Sequence, residues 1–298
     1  MEQTQTVDTS PEESSGAQQP QPSADDGVEI RDTPTFGERL ADIVEETWRP
    51  VAVLAVVGAL WWFVTWQEMV APYLIPPPMD VVRLIIDEFA FLMGHTWVTT
   101  YETVIGFVLA VAIGLVSAVA IVYSRTVEKS LYPILLFAQV VPKIAVAPLF
   151  VVWLGFGPEP KILVAILIAF FPVVISGVAG FRSVDPELLE LSATMGASSL
   201  KTFRKIRFPA ALPHIFSGLK VAATLAVVGA VVGEFVGANE GLGFILLYAN
   251  GNLNGPLLFA GLIIMTLIGI VLFLIIEITE KLVLPWHACQ RGSNTPIL

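Results

Sequence analysis

The sequence predicts an all-α, polytopic membrane protein: six transmembrane helices joined by short loops, with one helical loop projecting into the cytoplasm. Three observations carry that expectation. Of the 298 residues, 55% are hydrophobic and 14% charged, with a mean hydropathy of +0.76, whereas soluble domains carry about 25% charged residues. Six apolar runs, 50–66, 98–123, 131–153, 162–181, 214–236 and 257–284, come near the roughly 20 residues a helix needs to cross a bilayer. Basic residues gather in alternate loops: Arg125 and Lys129, then Arg182, Lys201, Arg204, Lys205 and Arg207, then Lys281 and Arg291. The intervening loops hold only Arg83 and Lys161. Short cytoplasmic loops are enriched in Lys and Arg, so both termini are expected inside a multi-pass cell (plasma) membrane protein.

The elements follow in order. Residues 1–50 hold twelve acidic against three basic residues, so −9 of the net charge of −10 sits there. Residues 1–35 are rich in Gln, Ser, Thr, Pro and acid and are expected to stay disordered. The domains read as an acidic cytoplasmic tail over 1–47, a membrane domain over 48–287 and a short cytoplasmic tail over 288–298. The acidic start has no apolar core, so no removable signal peptide is expected. The lone Cys289 excludes a disulfide framework. Trp48 and Trp286 would mark one membrane face, and Trp61, Trp62, Trp66, Trp97 and Trp153 the other. Between the first two runs, 80–93 reads as a short amphipathic helix at the outer interface. No internal repeat is evident.

The stretch 185–213 is polar and helix-forming, set between two apolar runs. Asp185-Pro186 is a helix start, because Asp accepts from free N–H groups and Pro at the first position loses nothing. A helix over 186–195 would end at Gly196, which permits a sharp turn. A second helix over 198–207 would be stopped by Pro209, with Leu200, Phe203 and Ile206 sharing one face. The product is a helical elbow; the plain alternative is a basic loop that only fixes topology.

Glu190-Leu191-Ser192, Gly196, Ile206 and Phe208-Pro209 fall at the spacing of E-A-A, three residues, G, nine residues, I, one residue, L-P. This resembles the EAA loop of ABC-importer permeases, with Leu and Ser for the alanines and Phe for the leucine. The resemblance covers roughly 70–287. It extends to Val141-Pro142-Lys143, Ala147-Pro148-Leu149, Trp153-Leu154-Gly155-Phe156-Gly157, Gly233-Glu234-Phe235-Val236-Gly237 and Gly241-Leu242-Gly243, which look like the nitrate/sulfonate/taurine branch. Pyrimidine and riboflavin importers share that scaffold. The resemblance implies a permease subunit pairing with a second permease copy. Cytoplasmic ABC ATPase subunits would grip Glu190, Ser192, Gly196, Phe203, Ile206 and Pro209, and an extracytoplasmic substrate-binding protein would dock outside. The substrate stays open among nitrate, alkanesulfonate, taurine and a vitamin precursor.

Charged residues within spans are costly and need a reason. Lys143 lies between Pro142 and Pro148, which should locally break or kink the helix; it either faces the pathway and attracts an anion, or pairs with Glu102 or a freed backbone carbonyl. Glu234 either helps form an outer gate or dimer seam, or makes an interfacial hydrogen bond. Lys220 could snorkel to the cytoplasmic edge, and Glu277 could pair with Lys281. His95, His214 and His287 lack partners at ligand spacing, so they read as interface residues, and no metal or cofactor is expected. No phosphate-cradling loop, H-E-x-x-H helix or G-x-S-x-G elbow occurs, so no catalysis is expected. An ion-coupled secondary transporter remains the alternative, weakened by the missing repeat.

Overall fold

The structure is a computed structural model that describes residues 36–284; the expected disorder of 1–35, and Trp286, His287, Cys289 and Arg291, lie outside them. Among the described residues every element is helical. Residues up to Val56 form one unit and those from Val57 another. The first contributes the beginning of α1 (Phe36–Trp66), which starts ahead of the boundary at 48 that composition suggested.

From Val57 on, small residues set the packing. α6 (Glu159–Arg182) lies against both α3 (Phe89–Tyr123) and α9 (Phe208–Gly237). On α3, Gly106, Ala110, Gly114 and Ala118 recur every fourth residue and are all buried, which puts them on one stripe. A Cβ added at Gly106 would stand 2.5 Å from the Ala165 Cβ, and one at Gly114 2.7 Å from a Val173 methyl. On α9, Gly218, Ala222, Ala226, Gly229 and Gly233 line the opposing contact. A Cβ at Gly229 would lie 2.6 Å from the Ala165 Cα. Within a bilayer no water drives helices together, so close backbone approach supplies the dispersion contacts that hold them.

Four helices are long and apolar enough to cross a membrane among the described residues: α3, α6, the helix ending in α9, and α11 (Gly255–Val283). The run 131–153 was expected as one span, broken or kinked locally around Pro142 and Pro148. It forms as α4 (Arg125–Val140) and α5 (Lys143–Leu154), bent by 97° at the break; counted together they make a fifth span. The break is local chemistry. Pro142 disfavours helical geometry at the residue before it, and Val141 accordingly has ψ 128°. The first run becomes a shorter apolar stretch, Val51–Trp66.

Two further expectations shift. The amphipathic segment forms as α2 (Pro78–Asp87) and ends there; α3 then begins at Phe89, so the second span starts well before 98. α2 does more than lie on a surface. Val81 is buried in a cluster with Leu92, Leu242, Ile245 and Leu257, and the Trp61 indole donates to the Pro76 carbonyl at 3.0 Å. The glycines at 241 and 243 open a helix, α10 (Leu242–Gly251).

Candidate functional site

The elbow forms from its caps inward. Asp185 Oδ1 accepts from the Glu187 N–H at 3.0 Å, which starts α7 (Pro186–Thr194). Gly196 takes φ +70°, a conformation that a Cβ makes costly. The Gly196 and Ala197 N–H groups donate back to the Ala193 and Ser192 carbonyls, each at 3.0 Å, closing the end of α7. Ser198 caps α8 (Ser199–Thr202), its Oγ accepting from the Lys201 N–H. The buried Ser192 Oγ donates to Leu189 O at 2.8 Å and lies 3.2 Å from Thr202 Oγ1, tying the two limbs together.

Pro209 was expected to stop the second limb, and it does not. α8 runs through a π turn, Phe203–Arg207, straight into α9, giving one continuous helix Ser199–Gly237. The Phe208 N–H bonds the Phe203 carbonyl, an i→i+5 bond. That wider turn opens the helix just where the Pro209 ring would press on the carbonyl four residues back. The same turn breaks the expected face of Leu200, Phe203 and Ile206. Phe203 turns inward among Phe181, Tyr123 and Phe208, at ring-centroid distances of 5.6, 5.6 and 6.0 Å, while Leu200 is 75% exposed.

The six elbow residues singled out from the sequence thus divide. Glu190 and Gly196 lie exposed at the tip. Ser192 is buried, and Phe203, Ile206 and Pro209 are half-buried. Leu191, Met195 and Leu200 are large apolar residues left exposed on the elbow, Met195 at 78%. Glu187, Glu190, Lys201, Arg204 and Lys205 are exposed on the same elbow.

The opposite end of α9 holds a polar latch. The buried Glu234 accepts from Thr99 Oγ1 at 2.7 Å and from the Gly243 N–H. Thr99 Oγ1 in turn accepts from the Leu242 N–H at 2.8 Å, and His95 Nδ1 from the Gly241 N–H at 2.9 Å. Three successive N–H groups at the start of α10 are therefore held by α3 and α9, where free donors and the helix dipole favour an acceptor. One turn along α3, Glu102 Oε1 takes the Lys161 ammonium at 2.7 Å, with both side chains buried.

That pair corrects one option for Lys143, because Glu102 is engaged elsewhere. Lys143 opens α5, donates to the Gln139 carbonyl at 3.0 Å, and sits 4.7 Å over the Phe171 ring. It satisfies a carbonyl freed at the end of α4. Lys220 Nζ lies 2.6 Å from Glu280, in the last turn of α11. Glu277 and Lys281 pair at 2.8 Å, as their one-turn spacing suggested. Thr99 and Lys161 escaped the sequence reading. Their signal was faint: a Thr inside an apolar run, and a Lys counted as a loop residue.

The comparisons agree with this architecture. The family described as "Binding-protein-dependent transport system inner membrane component" matches residues 110–285. A probable ABC transporter permease protein of Haemophilus influenzae is 37% identical over 77% of this chain and 94% of its own. The formylaminopyrimidine transport permease protein of Halalkalibacterium halodurans is 35% identical over 77% and 92%. The taurine transport system permease protein of Escherichia coli is 30% identical over 80% and 89%. Among solved structures, an inward-facing MetNI methionine ABC transporter superposes with a TM-score of 0.59 at 21% identity, covering 66% of this chain and 98% of that one, a likeness of fold. With α3 and α9 packed on α6 and its family match over most of that bundle, the chain belongs to the binding-protein-dependent transport system inner membrane components, the permeases of ABC importers.

Proposed function

We propose that this permease forms the path for a small solute at the seam between two copies, and that the elbow is where a cytoplasmic ABC ATPase grips it. The observation that carries the reading is mechanical continuity. A capped, glycine-hinged elbow with exposed apolar side chains is fused, without a break, to a helix that reaches the latch at the other end. A 39-residue helix is about 59 Å long at 1.5 Å per residue, so movement of the elbow is carried through the membrane as movement of α9. Coupling of this kind needs an element with two positions that both sites bias. The basic loops support a cytoplasmic elbow and cytoplasmic termini, with the latch end outside, in the plasma membrane, where an extracytoplasmic binding protein delivers solute. The chain itself performs no catalysis; ATP is hydrolysed by its partners.

The relatives named for formylaminopyrimidine, aliphatic sulfonates and taurine support a small solute of the vitamin-precursor or sulfonate type. The ATPase assignment is tested in a detergent pull-down of the ATPase with wild type, Gly196→Asp and Glu190→Lys. The expected result is loss of the ATPase from both variants with membrane insertion unchanged. Retention at wild-type level would sink the docking role of the elbow, and transport that persists without the ATPase would favour an ion-coupled carrier.

A further inference from the structure

Three charged side chains meet at the latch end of the bundle, and their charges do not balance. Lys161 on α6 bonds Glu102 Oε1 on α3 at 2.7 Å, with side chains 8% and 1% exposed. Glu234 on α9 is as deeply buried as Glu102 and flanks the same lysine. Its neighbour Gly233 packs on the Lys161 backbone, where an added Cβ would stand 2.7 Å from the Lys161 Cα. Thr99, which donates to Glu234, lies three residues before Glu102 on one face of α3. The two carboxyls are close enough to exchange a hydrogen bond. Two of them against one ammonium leave a net charge of −1, and an uncompensated charge in a low-dielectric interior is costly. Two carboxylates that share a buried site relieve that cost by keeping a proton.

The donors decide where the proton sits. Glu234 accepts from the Thr99 hydroxyl and the Gly243 N–H, bonds that favour an ionised carboxylate. Glu102 Oε1 faces the Lys161 ammonium, but Glu102 Oε2 is buried with no hydrogen-bond partner. A proton there turns an acceptor without a donor into a donor to Glu234. The Lys161 ammonium then balances the Glu234 carboxylate. Around the cluster stand His95 and Tyr101 on α3, Glu159 at the start of α6, Glu240 after α9 and Tyr248 on α10. None of these supplies a second cation: His95 Nδ1 accepts from the Gly241 N–H, which leaves a neutral ring, and the others are acids or phenols. A cleft of about 510 Å³ lined by Glu102 and Lys161 is the proton's route to water.

We propose that Glu102, Glu234 and Lys161 form a proton-binding site, in which one proton resides on Glu102 Oε2, is donated to Glu234 and holds α3 to α9. Its loss sets two carboxylates against each other beside the Glu234 contacts that hold the start of α10, so rising pH loosens the latch. The folded chain keeps a proton that the unfolded chain, with glutamates titrating near about 4.3, gives up. Stability therefore falls as pH rises, by about tenfold in the unfolding constant per pH unit, until the proton leaves the folded state too.

The test uses the full-length protein in a maltoside detergent, which has no ester carbonyls to mask a carboxylic acid in the infrared. A protonated-carboxyl C=O band is expected at neutral pH in wild type and is absent from both Glu102→Gln and Glu234→Gln. Thermal midpoints are followed from about pH 6 to about pH 9, between the ordinary ranges of Glu and Lys. The wild-type midpoint should fall by about 3–5 °C per pH unit more than that of Glu102→Gln. The glutamine amide stands in for the protonated acid, so this variant should hold the wild-type midpoint of low pH. The absence of the band from wild type, its survival in Glu102→Gln, or parallel midpoint curves would each overturn the proposal. So would a Glu102→Gln midpoint well below wild type at every pH, the outcome for an ionised Glu102 paired with Lys161.

Discussion

Removing the ammonium of Lys161 tests how the non-elbow end of the bundle is held together. In Lys161→Met the side chain keeps its length and loses its charge. Its partner Glu102 has a side chain only 1% exposed, and the bond at 2.7 Å joins α3 to α6. Glu102 Oε2 has no other hydrogen-bond partner. Glu234 on α9 is near enough to interact electrostatically with both. The substitution therefore leaves two buried carboxyl groups with no ammonium beside them. Breaking a buried ion pair by removing one partner costs about 3–5 kcal/mol. At about 2–4 °C per kcal/mol for a chain of this size, the thermal midpoint should fall by roughly 6–20 °C. Glu102→Leu leaves the ammonium with Glu234 still near it, on a flexible stem that lines a cleft, and should cost less. The double variant should be more stable than Lys161→Met alone, because a methionine facing a leucine leaves Glu234 as the only buried carboxylate of the three charged groups. Midpoints would be followed in detergent at one scan rate, since unfolding of such proteins is commonly irreversible. A midpoint for Lys161→Met within about 2 °C of wild type, or strictly additive losses in the double variant, would refute the reasoning.

Other consequences are local. Gly229→Ala places a methyl 2.6 Å from the Ala165 Cα; reaching a carbon–carbon contact of about 3.5–4.0 Å forces α6 and α9 apart by about 1 Å. That overpacking should cost about 1–3 kcal/mol, read as a lower midpoint; an unchanged midpoint would show that the helices slide freely. Ser192→Ala loses the bond to Leu189 O and the Ser192–Thr202 contact, worth about 1 kcal/mol. Amide exchange over 197–202 should quicken while the midpoint holds. Thr99→Val keeps the shape but leaves the Leu242 N–H without its acceptor and Glu234 without one donor. At about 1–3 kcal/mol per stranded group, exchange at the start of α10 should rise about tenfold or more, and protection at the wild-type level would argue against the latch.

Much of this architecture can be read from one dimension. The membrane class, the apolar runs that become α3, α6, α9 and α11, the capped start at Asp185-Pro186 and the turn at Gly196 all depend on residues close in sequence. Hydrophobic length, an N-cap and a positive φ are local properties. So is the one-turn pair Glu277–Lys281. One reading that changed involves a proline, Pro209. Pro142 and Pro209 look alike as breakers, yet one separates two helices by 97° and the other lies inside a continuous helix. At Pro142 the residue before it turns extended; at Pro209 a π turn absorbs the clash, and the anchoring of Phe203 on Tyr123 and Phe181 accompanies it. A contact with α3 and α6 is not visible in the local sequence.

The candidate site divides the same way. The exposed tip of the elbow followed from the spacing of Glu190 and Gly196, and composition alone established a membrane protein with a polar, hinged loop. Tertiary structure decided which charges meet. Thr99 and Glu234 are separated by 135 residues and Glu102 and Lys161 by 59, and the glycine and alanine stripes on α3 and α9 bring their backbones close enough for those short side chains to touch. Buried charges must be compensated wherever they fall, so the sequence announces that partners are needed. Which partner each one finds is set by the helix packing.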